Sequence, residues 1–415
     1  MDMTKTEREY LRELAKRQLE IANLPAMEAR RKKWYKLNDG ETAEPLVSVE
    51  FNGLPEQFFP AAVCESPPAR ELESRLNALL RYYELDDDRV IPAYYSIPVM
   101  NGFIPFGITV GYTTRFKHSM GYAFDHPIKD FEQDFHKLGK SVYTVDAGLA
   151  NSARRKTEIE EVFGDILPVK IEFPSFNISL GHVMCSLMGM ETMFLAMYDY
   201  PELLHKALEM LTGDYLEYMD ALEGGGAILP NGDGSHLGQG SFGYTHDLRA
   251  AGEIDGRVTF GDCWGYGNFQ ETVRTSPEMF DEFFFSYMEK ITRRFGLYSY
   301  GCCEPVHELW DLCLSRLSNL RKLSISAWCG EESIADDIRG KKIVYHRKPS
   351  ANFISADAVF NEEAFGAHIA KSVKVARGCP LEVTFREELT LMDEPWRLKR
   401  AVELTREQFA KSWRG

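Results

Sequence analysis

The stretch "LRKLSISAWCGEESIADDIRGKKIVYHRKP", residues 320–349, decides the fold. Its first seven residues, 320–326, carry alternating apolar side chains and read as a strand. Residues 332–340 read as a short helix closed by Gly340, the residue type that most easily follows a helix end. Residues 341–349 read as a second strand. Strand, helix and strand in succession imply a parallel βαβ unit.

The alternation continues on both sides. Residues 293–301 read as a strand, and 305–317 as a helix with Pro305 in its first turn. Beyond the opening stretch come a helix at 361–378 with an Asn cap and a Gly end, a strand at 381–388 and a final helix at 394–413. That is β-α four times over, a spacing that suits a doubly wound sheet or a barrel. In the middle, 167–174 reads as a strand, and 188–222 as one broken or two consecutive helices interrupted near Pro201. Residues 256–265 read as a strand and loop, and 276–296 as a helix capped by Ser276. Residues 1–85 open with an amphipathic helix over about 4–34, then a short strand and a helix near 68–84. They are expected to pack as an extension on a barrel formed by 86–415.

A chain of 415 residues is long for one domain but within reach of an α/β barrel with insertions. The net charge of −15 argues against a nucleic-acid surface. No apolar run reaches the ~18 residues of a membrane span, and the charged N-terminus does not read as a signal peptide. Eight cysteines are sparse for this length. A cytoplasmic location with reduced thiols is expected, which makes metal binding or burial their role rather than a disulfide framework.

In parallel α/β proteins, reactive groups gather at the carboxyl ends of the strands. Here those ends read Cys302-Cys303-Glu304, Trp328-Cys329-Gly330-Glu331, His346-Arg347-Lys348 and Arg386-Glu387-Glu388. Thiol, imidazole and carboxylate are the ligand types of Zn²⁺. Packing is the competing role of any single cysteine, and Cys313, inside a helix, fits it. The 302–303 pair, at a strand end and followed by an acid, fits a metal or thiolate role equally well. His346-Arg347-Lys348 reads as an anion or phenolate clamp, or as a solvated charged turn. Tyr94, Tyr95, Phe103, Phe106 and Tyr112, in 91–116, read either as the wall of a pocket for a flat ligand or as core. Gln270 and Glu271 follow a strand and face the same rim. "GQGSFG" (238–243) matches a dinucleotide fingerprint only in its letters, since no strand precedes it and no helix follows. It belongs to a long loop, 229–246, read as functional or as a simple connection.

"METMFLAMYDYPELLHKALEML", "SPEMFDEFFFSYMEKI" and "EPWRLKRAVEL" resemble the uroporphyrinogen decarboxylase superfamily, with segments in the same order from about residue 90 onward. "RRKKWYKLNDGETAEPLVSVE" resembles a leader of anaerobe members. The resemblance implies a (β/α)₈ TIM barrel with an N-terminal helical extension. The superfamily's decarboxylases carry an Arg-rich N-terminal motif, where this chain reads "IPAYYSIPVMNG". Its zinc methyltransferases hold the metal by His-x-Cys at one strand end and a Cys near the last strand. Gly301-Cys302-Cys303 aligns with His-x-Cys, so Cys303 is kept and the His is not. No Cys stands near Arg386-Glu387-Glu388.

The chain looks most like the substrate-specific methyltransferases of O-demethylase systems. The resemblance then implies methyl transfer from a phenyl methyl ether to a corrinoid protein. Zinc is expected on Cys303, Cys329 and Glu387, with Cys302 or Glu304 as a further ligand. Glu271 and Glu304 are the expected acids, and Tyr94, Tyr95, Phe103 and His346 the substrate contacts. No D-x-H-x-x-G motif is present, so cobalamin is expected on a partner protein. A homodimer is allowed. The rival readings are decarboxylation of a tetrapyrrole-like acid and a barrel that binds a corrinoid or porphyrin without turnover.

Overall fold

The computed structural model describes residues 1–42, 44–54, 56–114 and 122–413. Nine short strands organise the chain: β1 (Leu46–Val49), β2 (Tyr95–Pro98), β3 (Val169–Glu172), β4 (Phe176–Ile178), β5 (Trp264–Gly267), β6 (Leu297–Tyr300), β7 (Leu320–Ile325), β8 (Val344–Arg347) and β9 (Leu381–Phe385). Seven form one sheet in the order β1-β9-β8-β7-β6-β5-β4, and every pairing is parallel. β2 and β3 pair separately, also in parallel. Residues 173–175 divide β3 from β4; Pro174 among them has no N–H to give to a ladder.

The architecture is α/β and consistent with a TIM-barrel-like fold. Among the described residues, no ladder joins β1 to β2, so the hydrogen-bonded sheet does not close into a ring. The segment that decides the fold behaves as its pattern requires: β7, then helix Glu331–Ile338, then β8, with Lys322 to Ile325 in register with Val344 to Arg347.

Three elements differ from expectation. The N-terminal helix is two helices, Lys5–Ala22 and Pro25–Asn38, because proline starts a helix well but interrupts one. Residues 305–317 form two 3₁₀ turns, Val306–Leu309 and Leu314–Arg316, since Cys313 (φ −119°, ψ −72°) leaves helical geometry. The helix over 276–296 carries a π turn at Asp281–Phe285, which lets three successive phenylalanines, 283 to 285, all bury. The N-terminal extension also supplies a strand of the main sheet, since β1 pairs with β9 along its whole length.

The long loop holds a small antiparallel hairpin, His236–Gly238 with Ser241–Phe242. It covers one face of the sheet and completes a buried polar layer there. Lys322 Nζ donates to Glu382 Oε2 (3.0 Å) and to Ser241 Oγ (2.6 Å). Thr384 Oγ1 lies 2.7 Å from Ser48 Oγ and 2.8 Å from His346 Nε2. The Lys322 ammonium also sits 5.1 Å from the centre of the Trp34 ring. No single helix among the described residues is long and apolar enough to cross a membrane. Leu180–Met188 and Met190–Asp199 pass that test only as a pair, and they meet at 102°.

Candidate functional site

The chain leaves β6 through Gly301, at φ +100°. A Cβ there would lie 3.1 Å from Ser324 Cβ, so the position needs glycine both for its backbone and for its space. The turn it makes presents Cys302 and Cys303 at the carboxyl ends of the strands. Glu304 turns back beneath them: Oε2 accepts the Cys302 N–H at 2.8 Å and Oε1 the Phe269 N–H at 2.9 Å. This carboxyl is buried, and burial pushes its pKa up.

Cys302 Sγ lies 3.5 Å from Cys303 Sγ, and Cys303 Sγ lies 4.0 Å from Glu387 Oε1. The three donor atoms fall within 4.8 Å of one another. Glu387 holds a left-handed backbone, φ +65°, which a side-chain-bearing residue rarely adopts. Donors bound tetrahedrally to zinc at ~2.3 Å stand roughly 3.8 Å apart, so this spacing suits such an ion.

Two cations, Arg386 and Lys348, and a second carboxylate, Glu50, adjoin the cluster. Arg386 Nη1 approaches Cys302 Sγ at 3.2 Å and Glu387 Oε1 at 3.2 Å, while its Nε donates to Glu50 Oε2 at 2.7 Å. Lys348 Nζ donates to Gln239 Oε1 at 2.5 Å, and Arg386 Nη1 reaches the same oxygen. The hydrogen bond from the Cys303 thiol, with the charges of Lys348 and Arg386, outweighs burial and pushes the Cys302 thiol down to about 7. Its neighbour is driven the other way: the bond to Cys302 and burial raise the Cys303 pKa. The two cysteines, Trp328, Lys348, Asn352, Arg386 and Glu387 line a cleft of about 170 Å³.

The other residues singled out from the sequence lie elsewhere. Cys329 Sγ donates to the Glu304 carbonyl (3.5 Å) and sits 3.5 Å from Ser326 Oγ, outside the donor cluster. Glu271 Oε1 bonds His182 Nδ1 at 2.9 Å on the loop after β5. Tyr94 donates to Glu172 at 2.5 Å and lines a different, larger cavity with Tyr35 and Asp233. Tyr95 packs on Phe163, and Phe103 stacks on Tyr215 and Tyr218. His346 is buried in the polar layer, and Lys348, two residues on along the same strand direction, reaches the cleft in its place.

Gln239 and Glu50 carry no signal that singles them out as site residues. For Gln239 the nearest clue is its setting: Gly238, Gln239 and Gly240 all have positive φ (92°, 57° and 77°), the mark of a tight hairpin tip. For Glu50 it is the polar residue directly after a short apolar strand.

No family model matches the chain, and no curated protein does. Among solved structures, the chain is similar to a methyltransferase from Methanosarcina mazei, at 13% identity and a TM-score of 0.50. The match covers 92% of this chain and 99% of that one. The likeness is one of fold.

Proposed function

We propose that the chain is a methyltransferase that moves the methyl group of a methoxylated aromatic to the cobalt(I) of a separate corrinoid protein, O-demethylating the ether. The observation that carries this reading is the Cys302–Cys303–Glu387 cluster at the strand carboxyl ends. The fold likeness to a methyltransferase supports it. In the same reading the sheet is a (β/α)₈ barrel of the uroporphyrinogen decarboxylase type, with β3 and β4 as one interrupted strand.

Cys302, Cys303 and Glu387 would hold a zinc ion, which would supply a Lewis acid for the ether oxygen. Cys329, bonded to the Glu304 carbonyl, drops out of the donor set and Cys302 takes its place. Arg386 steadies both Cys302 and Glu387. Glu304 fixes the cysteine turn through two backbone amides. Glu271, held by His182, orders the neighbouring loop. Trp328 at the lip gives the aromatic ring a surface. The corrinoid arrives on its own protein and docks over the same rim, and a cytoplasmic location goes with that reduced partner.

The test combines the purified chain, a reduced corrinoid protein and a panel of methoxylated aromatics. Loss of the cobalt(I) absorption together with release of the phenol is expected, and removing the metal with a chelator should stop both. No turnover across the panel, or turnover that survives complete metal removal, overturns the reading. Lys348 and Arg386 favour one rival, decarboxylation of a tetrapyrrole-like acid. That reaction would release carbon dioxide with no corrinoid present.

A further inference from the structure

Lys348 is only 5% exposed and lines the cysteine cleft. Among the described residues it forms no ion pair; its ammonium donates to the neutral oxygen of Gln239. An ammonium has three N–H donors, and Lys348 gives one of them to a neutral oxygen. Arg386, beside it, uses Nε on Glu50 and Nη1 on Gln239 and Cys302. Its Nη2 donates to no group among the described residues.

The hairpin tip is shaped for this arrangement. A Cβ on Gly240 would lie 2.5 Å from Thr384 Cγ2, so only glycine lets the tip settle against β9. Gln239 thereby brings one amide oxygen to both cations; Arg386 is paired with Glu50 and Glu387, while Lys348 has no carboxylate at ion-pair distance among the described residues. Trp328, 75% exposed, also lines the cleft. A cavity of ~150 Å³ accepts benzene, so the cleft of about 170 Å³ suits a single substituted ring.

We infer that Lys348, Arg386 and Gln239 form an anion subsite that selects aromatic substrates carrying a carboxylate. This rests on reading the cleft as the substrate site. A planar, singly charged carboxylate matches an ammonium next to a guanidinium. Glu50 and Glu387, both within reach of Arg386, repel a doubly charged group such as phosphate.

The test is ligand-observed NMR titration of the full chain, without corrinoid or turnover. The ligands are methoxybenzoate, methoxybenzene and inorganic phosphate. Methoxybenzoate should bind at least tenfold tighter than methoxybenzene, and equimolar phosphate should not displace it. Lys348→Met should abolish the preference, with circular dichroism reporting an intact fold. Lys348→Arg should keep the preference. Gln239→Glu, which sets a carboxylate between the two cations, should abolish it. Equal binding of the two aromatics, binding of neither, a preference that survives Lys348→Met, or displacement by phosphate overturns the subsite. Failure of methyl transfer overturns the proposed function alone, because binding is measured separately.

Discussion

Two buried lysines, Lys322 within β7 and Lys348 directly after β8, have opposite surroundings. Lys322 is fully buried and complete, with Glu382 at 3.0 Å, Ser241 at 2.6 Å and the Trp34 ring against it. Lys348 is nearly as buried, yet it has a single neutral partner and faces a cleft. Burial pushes both pKa values down, that of Lys348 to about 8. The difference separates two jobs. The deep layer closes its own hydrogen bonds and holds the hairpin to the sheet. The rim gives Lys348 one neutral partner and sets it in a cleft beside the two thiols and Glu387.

The largest effect should come from Lys322→Met. It strands Glu382 as a buried, unpaired carboxylate and should cost about 3–5 kcal/mol. Denaturant unfolding measures it. A loss under about 1 kcal/mol would mean that the deep layer is as loosely satisfied as the rim.

Next in size is Gly301→Ala, at the junction of the two regions. The new Cβ meets Ser324 at 3.1 Å with the backbone at φ +100°. About 1–3 kcal/mol of stability should go, and metal retention should fall with it because the cysteine turn must move. Full stability with full metal content would show that the turn has another conformation available.

The legibility of the chain follows the same division. β7, its helix and β8 were readable because each carries a complete local signal: apolar strand residues, a helix start and a closing glycine. The cysteines, Glu387 and Lys348 were readable as strand-end groups once those strands were placed. The hairpin was not, because strands of three and two residues have no period to detect. What fixes it is distant in sequence: Ser241 bonds Glu382. Side-chain direction was equally hidden. Tyr94 and Tyr95 are adjacent, yet one lines a cavity and the other packs on Phe163, and nothing local says which. The expected ligand Cys329 failed to join the cluster for a similar reason, since its thiol turns to the Glu304 carbonyl.

A smaller effect tests the deep layer through pH. Burial, then the charges of Lys348, Lys322 and Arg386, hold the His346 pKa well below its usual value, although Glu382 lies 3.6 Å away. A histidine depressed in the folded state binds its proton more readily once unfolded. Its contribution is therefore present above the unfolded value of ~6.5 and is lost as pH falls toward the folded value. The slope should be about 1.4 kcal/mol per pH unit just below that point. His346→Gln should flatten the difference in stability between pH 7 and pH 5. An unchanged slope would place the responsible group elsewhere.

The smallest effect on stability should come from the residue expected to matter most for metal. Cys303 is partly exposed, and its sulfur has Cys302 at 3.5 Å and Glu387 at 4.0 Å as polar neighbours. Serine keeps nearly the same shape, so Cys303→Ser should change folding stability by no more than about 0.5 kcal/mol. Zinc is another matter. Loss of a supporting residue outside the donor set typically costs ~10–100-fold in affinity, and loss of a donor should cost at least as much. Cys302→Ser should match it, since it removes another donor of the same cluster. Metal retention in the unmodified chain should also fall on acidification, because protons compete for both thiols. Zinc per chain after dialysis, beside thermal unfolding of the two variants, decides the matter. If both variants keep their metal, the cysteine pair is packing. If both unfold early, the rim is as structural as the layer beneath it, and the contrast between the two lysines loses its meaning.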